Sequence, residues 1–370
     1  MVIPSVLFYA FIAVVSIQII YYLSFLFSFS IKRAETRLKK QIPISVIICA
    51  KNEAENLKKN IPLILSQNYS SFEIVLVNDS SYDDTLEIMK AYEAENNAIK
   101  LVDVKTNEAF WGNKKYALTL GIKASKHDFL VFTDADCTPN SDRWLTEISS
   151  HFSNEKSIVL GYGAYVKKKF SILNKLIRFE TVMTALQYFS YAKMGTPYMG
   201  VGRNMAYRKE LFFNNCGFNN HMSIKSGDDD LFINEVANAS NTALSYTKES
   251  FTISEPKTSF KTWILQKRRH ISTAKFYKKK HQFLLGLFYI SNLLFWILGL
   301  TLLLVGFSWP WIVFLLSIRF AVQWLCFGFT AKKFEETDLI ILMPILELFL
   351  ITTQLSIFIA NLISKPKHWK

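Results

Sequence analysis

Phe129-Leu130-Val131-Phe132-Thr133-Asp134-Ala135-Asp136-Cys137-Thr138-Pro139 is the stretch on which the reading of this chain turns. The apolar run from Phe129 to Phe132 reads as a buried strand. It ends in two carboxylates one residue apart. Unpaired acids at the end of a buried strand would cost several kcal/mol, so a positive group belongs with them. A divalent cation carrying phosphate oxygens fits, because hard cations take carboxylate oxygens. An enzyme is the expectation. The competing reading is that Asp136 only caps the turn before Pro139.

Upstream, the same apolar-then-polar pattern repeats. Residues 44–50, 73–77, 99–104 and 128–133 read as strands, and residues 53–66, 83–95 and 113–124 as helices between them. Alternating units with apolar strands predict an α/β fold: a doubly wound, mainly parallel sheet with helices on both faces. Ligands of such sheets sit beyond the carboxyl ends of the strands. Lys51, Asn52 and Glu53 follow the first strand, Asp79 ends the second, and Asp134 and Asp136 end the fourth, so all open into one crevice. The first strand lacks a GxGxxG turn and the chain has no GxxxxGK[ST], which argues against a dehydrogenase and a P-loop kinase. Further on, residues 157–166 read as one strand and 170–191 as an amphipathic helix along the domain or a membrane interface. Residues 195–207 read as a glycine-punctuated loop, and 228–238 and 259–277 as helices.

The 370 residues are half hydrophobic, and the apolar ones concentrate in runs at 4–29, 283–307, 309–330 and 339–363. Each is near the ~20 residues that span a bilayer. The first has no basic stretch before it and no small-residue cleavage site after it, so it reads as a retained anchor rather than a signal peptide. The net charge is +13. The basic residues crowd beside the apolar runs: Lys32, Arg33, Arg37, Lys39 and Lys40 after the first, Lys275, Lys278, Lys279 and Lys280 before the second. That pattern orients a membrane protein and places residues 32–280 in the cytoplasm, with membrane lipids and not nucleic acid as the partner of the charge. The expected organisation is an anchor at 1–30, a cytoplasmic domain at 31–280 and two or three membrane helices in 281–370. Four full spans would put the basic tail, Lys365 to Lys370, on the side that positive charge avoids. Pro344 and Glu347 make the last run the suspect for an interfacial segment. Cys49, Cys137, Cys216 and Cys326 lack metal-type spacing and suit a reducing compartment.

Three further places carry polar chemistry. Asp79 sits in Asn78-Asp79-Ser80-Ser81-Tyr82-Asp83-Asp84-Thr85, a strand end followed by a helix start. It can accept hydrogen bonds from a ribose or base, or it can cap the helix; for Asp83 the cap is the better reading. Asp228-Asp229-Asp230 gathers three acids at a helix start, where crowding can keep one carboxylate suited to base work. The plain alternative is a solvated helix end. Gln266 and Arg269 share a helix face and can hold a sugar and a diphosphate, whereas Lys267 and Arg268 read as juxtamembrane charge.

Taken together these segments resemble the membrane-bound, inverting family 2 glycosyltransferases, the group of the cellulose, chitin and hyaluronan synthases. Residues 45–53 are similar to the family's opening strand and nucleotide loop, and 77–85 to its VDDxSxDxT segment. Asp134-Ala135-Asp136 is similar to its DxD, Gly227-Asp228-Asp229-Asp230-Leu231 to its ED-x-D-L, and Gln266-Lys267-Arg268-Arg269-His270 to its QxxRW. Gly112-Asn113-Lys114-Lys115-Tyr116-Ala117-Leu118 resembles its GKxxAL stretch. The resemblance implies a GT-A fold and sugar transfer from a nucleotide-sugar, UDP-linked by family habit, to a lipid-linked or saccharide acceptor. It implies that Ala50, Asn52, Glu53, Asp79, Lys114, Asp134, Gln266, Arg269 and His270 meet the donor. Asp136 would hold Mg2+ or Mn2+, and Asp228 or Asp229 would be the base. Gly227 replaces the usual acid before the base, and His270 replaces the tryptophan on which an acceptor sugar stacks in polymerising members. Two other readings are a nucleotidyl or phosphosugar transferase on the same fold, and a non-catalytic transport or secretion component.

Overall fold

The computed structural model describes residues 2–33, 41–105, 114–224 and 226–364. In chain order its helices are α1 (Val2–Phe25), α2 (Ala54–Leu65), α3 (Thr85–Glu95), α4 (Lys114–Ala124), α5 (Trp144–Ser150), α6 (Ile172–Lys193), α7 (Lys209–Asn214), α8 (Asp230–Val236), α9 (Phe260–Ile271), α10 (Lys279–Val305), α11 (Trp309–Lys333) and α12 (Met343–Ile363). Its strands are β1 (Ile44–Ala50), β2 (Phe72–Asp79), β3 (Ile99–Val104), β4 (Phe129–Asp134), β5 (Cys137–Pro139), β6 (Ile158–Gly161), β7 (Gly163–Tyr165), β8 (Met205–Arg208), β9 (Thr242–Ser245) and β10 (Thr252–Ser254). They form two compact units. One comprises the described residues of 41–166 and 195–257; the other comprises 2–33, 167–194 and 258–364. Residues 167–194 and 258–280, expected within a continuous 31–280 domain, group with the apolar helices.

The first unit is α/β. Its large sheet runs β3-β2-β1-β4-β8-β6-β9. The strands from β3 to β4 are parallel, as are β6 and β9, while β8 is antiparallel to β4 and β6. Val46, Ile48, Ile74, Leu76 and Val131 bury one face of it against Leu57 and Ile61 of α2 and Trp144 of α5. On α4, Gly121 comes so close to the strands that an added Cβ would lie 2.6 Å from Val77. Register aligns the strand ends: Ala50 pairs with Asn78, and Cys49 with Asp134.

Two expectations fail here. Residues 157–166 are not one strand but two: β6 joins the large sheet, while β7 joins a small one ordered β5-β10-β7. The switch falls at Gly161 and Gly163, where the side chains of Asn204 and Arg203 leave no room for a Cβ. The loop expected at 195–207 ends early, in β8. Met205-Ala206-Tyr207 is short and antiparallel, so it lacks the long apolar signature of the other central strands.

The second unit holds four helices long and apolar enough to cross a membrane: Ile3–Ser30, Lys279–Val305, Trp309–Lys333 and Met343–Ile363. They leave large apolar side chains such as Leu304, Ile345 and Leu362 exposed. Pro344 lies in the first turn of α12, where a missing N–H costs nothing. Glu347 has a partner too. Its carboxylate takes two N–H groups of Arg319 at 2.7 and 2.8 Å and one of Gln323 at 2.6 Å. Tyr22 and Asn292 donate to the same carboxylate at 3.1 Å, and Gln18 accepts from Arg319 at 3.2 Å. This buried network draws on all four apolar helices. The basic tail at 365–370, Arg37, Lys39 and Lys40 lie outside the described residues.

The helix expected along the domain or a membrane interface, α6, buries most of its residues within its own unit. Phe179 meets Phe327, and Phe189 meets Phe29 and Phe334. Arg178, buried, pairs with Glu336 and Asp338. The helix expected at 259–277 stops at Ile271, followed by a short turn at Ala274–Phe276. Lys267 and Arg268 of α9 are more than surface charge: Lys267 pairs with Glu180 at 2.6 Å, and Arg268 donates to Asn361 at 2.9 Å and the Ala360 carbonyl at 3.0 Å.

Candidate active site

At the carboxyl ends of β1, β2 and β4 the polar residues converge. The chain leaves β1 through Asn52, whose φ of 55° is left-handed. Its backbone N–H donates to Ser81 at 3.1 Å, and its side-chain oxygen accepts from Tyr82 N–H at 3.0 Å. Thr85 takes the N–H of Glu53 at 2.8 Å. Asp83 does act as a cap, and across two helices: it accepts from Thr85 N–H at 3.1 Å and from Ala54 N–H at 3.4 Å. These contacts lock the two strand-to-helix turns to each other and leave Asp79 at the end of β2. Burial raises the pKa of Asp79, opposed by the charges of Lys51 and Lys114.

Lys114, at the start of α4, is the hub. Its amine lies 2.8 Å from Asp134 and 3.2 Å from Asp228. Burial works against that charge, but the two carboxylates hold the amine protonated well above its ordinary range. The structure thus brings together Ala50, Asn52, Glu53, Asp79, Lys114, Asp134, Asp136 and Asp228 in one unit. Gly112 and Asn113, part of the same expected motif, lie outside the described residues. Gln266, Arg269 and His270 belong to the other unit, on α9.

At Asp136 the easing charge comes from Arg203. Burial, then the charges of Asp134 and Glu53, push its carboxyl above the usual range. Oxygens of Asp134 and Asp136 and the sulfur of Cys137 lie within 4.8 Å of one another. Burial, then Asp136 and Asp134, hold the Cys137 thiol protonated, and it donates to Asp136 at 3.5 Å. The donors on offer are therefore carboxylate oxygens, a set that suits Mg2+ or Mn2+. Asn60 fixes the turn between the acids, donating to the Ala135 carbonyl at 2.8 Å and accepting from Thr138 at 2.9 Å.

The acidic triplet divides by role. Helix α8 starts at Asp230, later than expected, so Asp228 and Asp229 precede it. Asp229 is its N-cap: one oxygen accepts from Asp230 N–H at 2.8 Å and the other from Gly202 N–H at 2.7 Å. Burial, then Asp228 and Asp230, push its pKa up to about 7. Both oxygens of Asp229 are thus taken by backbone N–H groups, while the Asp228 carboxylate faces Lys114.

Two residues escaped the sequence reading. Lys115 is buried and donates to the carbonyls of His221, Ile224 and Ser226 at 2.7, 2.9 and 2.8 Å. Its signal was present: Lys115, Leu118 and Ile122 share the apolar face of α4. Arg203 stacks on Tyr165 at 4.2 Å, donates to Ser254 at 2.9 Å and eases the charge on Asp136. No spacing in the sequence marks it.

A parallel sheet with acids at its strand ends and a doubled carboxylate at β4 is the GT-A arrangement. The model of the family Glycosyl transferase family 2 matches residues 45–213, the stretch from β1 to α7. Among curated proteins, it is 30% identical over 137 residues to a poly-beta-1,6-N-acetyl-D-glucosamine synthase of Staphylococcus epidermidis, covering 37% of this chain and 32% of that one. A poly-beta-1,6-N-acetyl-D-glucosamine synthase of Staphylococcus aureus (strain COL) is 27% identical over 149 residues, covering 40% and 35%. The match thus spans about a third of the length of these relatives. The same fold occurs in the mannosyltransferase PcManGT from Pyrobaculum calidifontis, solved in complex with GDP-Man and Mn2+. The TM-score is 0.60 at 16% identity, over 91% of this chain and 98% of that one.

Proposed function

We propose that this protein is an inverting glycosyltransferase of the membrane, moving a sugar from a nucleotide-sugar, UDP-linked, to a saccharide or lipid-linked acceptor on the cytoplasmic side. The observation that carries the reading is Lys114 held between Asp134 and Asp228, beside Asp136, whose carboxyl is pushed up by burial and by the charges of Asp134 and Glu53. Ala50, Asn52, Glu53 and Asp79 would receive the nucleoside. Asp134 and Lys114 would border the transferred sugar, and Gln266, Arg269 and His270 would close over donor and acceptor.

Asp228 is the base. It takes the proton of the acceptor hydroxyl as that oxygen attacks the anomeric carbon from the face opposite the diphosphate, and configuration inverts. Lys114 holds the Asp228 carboxylate in place at 3.2 Å. Asp136 would hold Mg2+ or Mn2+, which supplies charge neutralisation to the departing nucleoside diphosphate. Asp229 fixes the loop rather than reacting. The names of the curated relatives make UDP-N-acetylglucosamine the first donor to try. A screen of UDP- and GDP-sugars with purified protein, Mn2+ and membrane lipid, read by released nucleoside diphosphate, tests the reading. Absence of nucleotide binding throughout the panel would favour the non-catalytic alternative.

A further inference from the structure

The loop that delivers Asp228 enters the site through a narrow passage. Gly227 has a φ of +95°, and a Cβ there would lie 2.4 Å from Leu231, so the chain has a single tight path between Ser226 and Asp228. Just before that turn, three backbone carbonyls, of His221, Ile224 and Ser226, converge on one point, which the Lys115 amine occupies at 2.7, 2.9 and 2.8 Å. Lys115 is only 1% exposed, and it hangs from the first turn of α4, a helix fixed against β1 and β2 by the close approach of Gly121 to Val77 and Ile47. Its neighbour Lys114 grips the other end of the same loop by the Asp228 carboxylate at 3.2 Å.

We propose that Lys115 is a positioning residue. By pinning the carbonyls of the loop before Gly227, it sets where Asp228 stands relative to Lys114 and Asp134. The step from Ser226 to Asp228 is two residues long and crowded by Leu231, so a shift of the Ser226 carbonyl passes to Asp228 with little slack. Two consecutive lysines thereby divide the work: Lys114 addresses the carboxylate itself, and Lys115 addresses the backbone that carries it. Charge is suited to the second task because an ammonium offers N–H groups in three directions, which a neutral side chain of similar length does not. A role in bare stability would need only that the carbonyls be satisfied; a positioning role makes turnover depend on them.

This inference rests on Asp228 acting as base, so its test has a reading independent of turnover. The full-length protein in detergent is compared with K115M and K115R, and with Ile64→Ala as a core variant destabilised away from the site. Amide hydrogen exchange is followed over residues 221–236. In K115M exchange is expected to rise there and to stay unchanged over α2 and β1. In I64A the rise is expected around α2 instead. With nucleotide-sugar and Mn2+, K115M is expected to lose about 100-fold in kcat while the donor KM moves by less than about 3-fold. K115R, which keeps the charge, should recover part of the loss and gives the same readings should K115M fail to fold. Unchanged exchange over 221–236 overturns the proposal whether or not any donor is turned over. So does a kcat in K115M equal to that of I64A. A wild-type protein inert with every donor, together with a loosened loop in K115M, would leave Lys115 as the loop's anchor and count against the transferase reading alone.

Discussion

Lys114 and Asp228 stand 3.2 Å apart, amine to carboxylate, and the same amine is 2.8 Å from Asp134. One cation thus links an acid at the end of β4 to an acid on the loop before α8. Without it, Asp134 and Asp228 would lose the amine that both face. Replacing Lys114 by Met should lower turnover by about 100-fold, the scale of one lost electrostatic contact in an enclosed site. Steady-state kinetics against nucleotide-sugar check this; turnover near wild type would remove Lys114 from the account.

The division of labour between Asp228 and Asp229 can be read from paired variants. D228N should depress transfer by about 100- to 10,000-fold, the worth of a general base, and leave donor binding by titration calorimetry within a few-fold. D229A should cost about 1 kcal/mol of stability through the lost helix cap, seen as a lower melting temperature. The reverse pattern would transfer the base to Asp229.

Asp229 also sets a pH dependence. Its folded pKa, about 7, lies above the ordinary carboxylate value, so the folded protein binds a proton that the unfolded chain has released. Stability is therefore fully present below the unfolded value, falls as pH rises from about 4 to about 7, and is level above. Asp79 and Asp136, also raised, slope the same way. Thermal melts without metal from pH 4 to 8 should show the decline, and D229N should make it shallower. A decline as steep in D229N as in wild type would show that Asp229 holds no such proton.

Asp136 carries the metal claim. D136N should abolish the enhancement of nucleotide binding by Mn2+ while leaving the melting temperature unchanged or raised, since it removes a buried charge. Mn2+-enhanced nucleotide binding that persists in D136N would place the cation elsewhere.

In the membrane unit, Arg319 and Glu347 form a buried pair whose loss on one side strands the other charge. E347Q alone should cost about 3–5 kcal/mol, and R319L/E347L less than the sum of the two single changes. Detergent melts of the four proteins measure the coupling; strict additivity would mean the two residues act apart.

Much of this was legible beforehand because parallel strands buried on both faces are written as largely apolar runs, and β1, β2 and β4 are such strands. Their carboxyl ends then located Asp79, Asp134 and Asp136 without any side-chain geometry. The second half was less legible. Gly161 and Gly163 let one apolar run serve two sheets, and β8 is too short to announce itself. Periodicity also gave no sign of the partners of Arg178, since Glu336 and Asp338 lie far along the chain. Within the acidic triplet, spacing ranks no member above another; the backbone donors of Gly202 and Asp230 do, by occupying Asp229.

The central claim is transfer of a glycosyl group with a nucleoside diphosphate as leaving group. Its most direct test is analysis of the spent nucleotide and of the anomeric configuration of the product, made by the purified protein with nucleotide-sugar, Mn2+ and a lipid or saccharide acceptor. The account predicts nucleoside diphosphate and inverted configuration. Release of pyrophosphate or a nucleoside monophosphate, or retention of configuration, would contradict it.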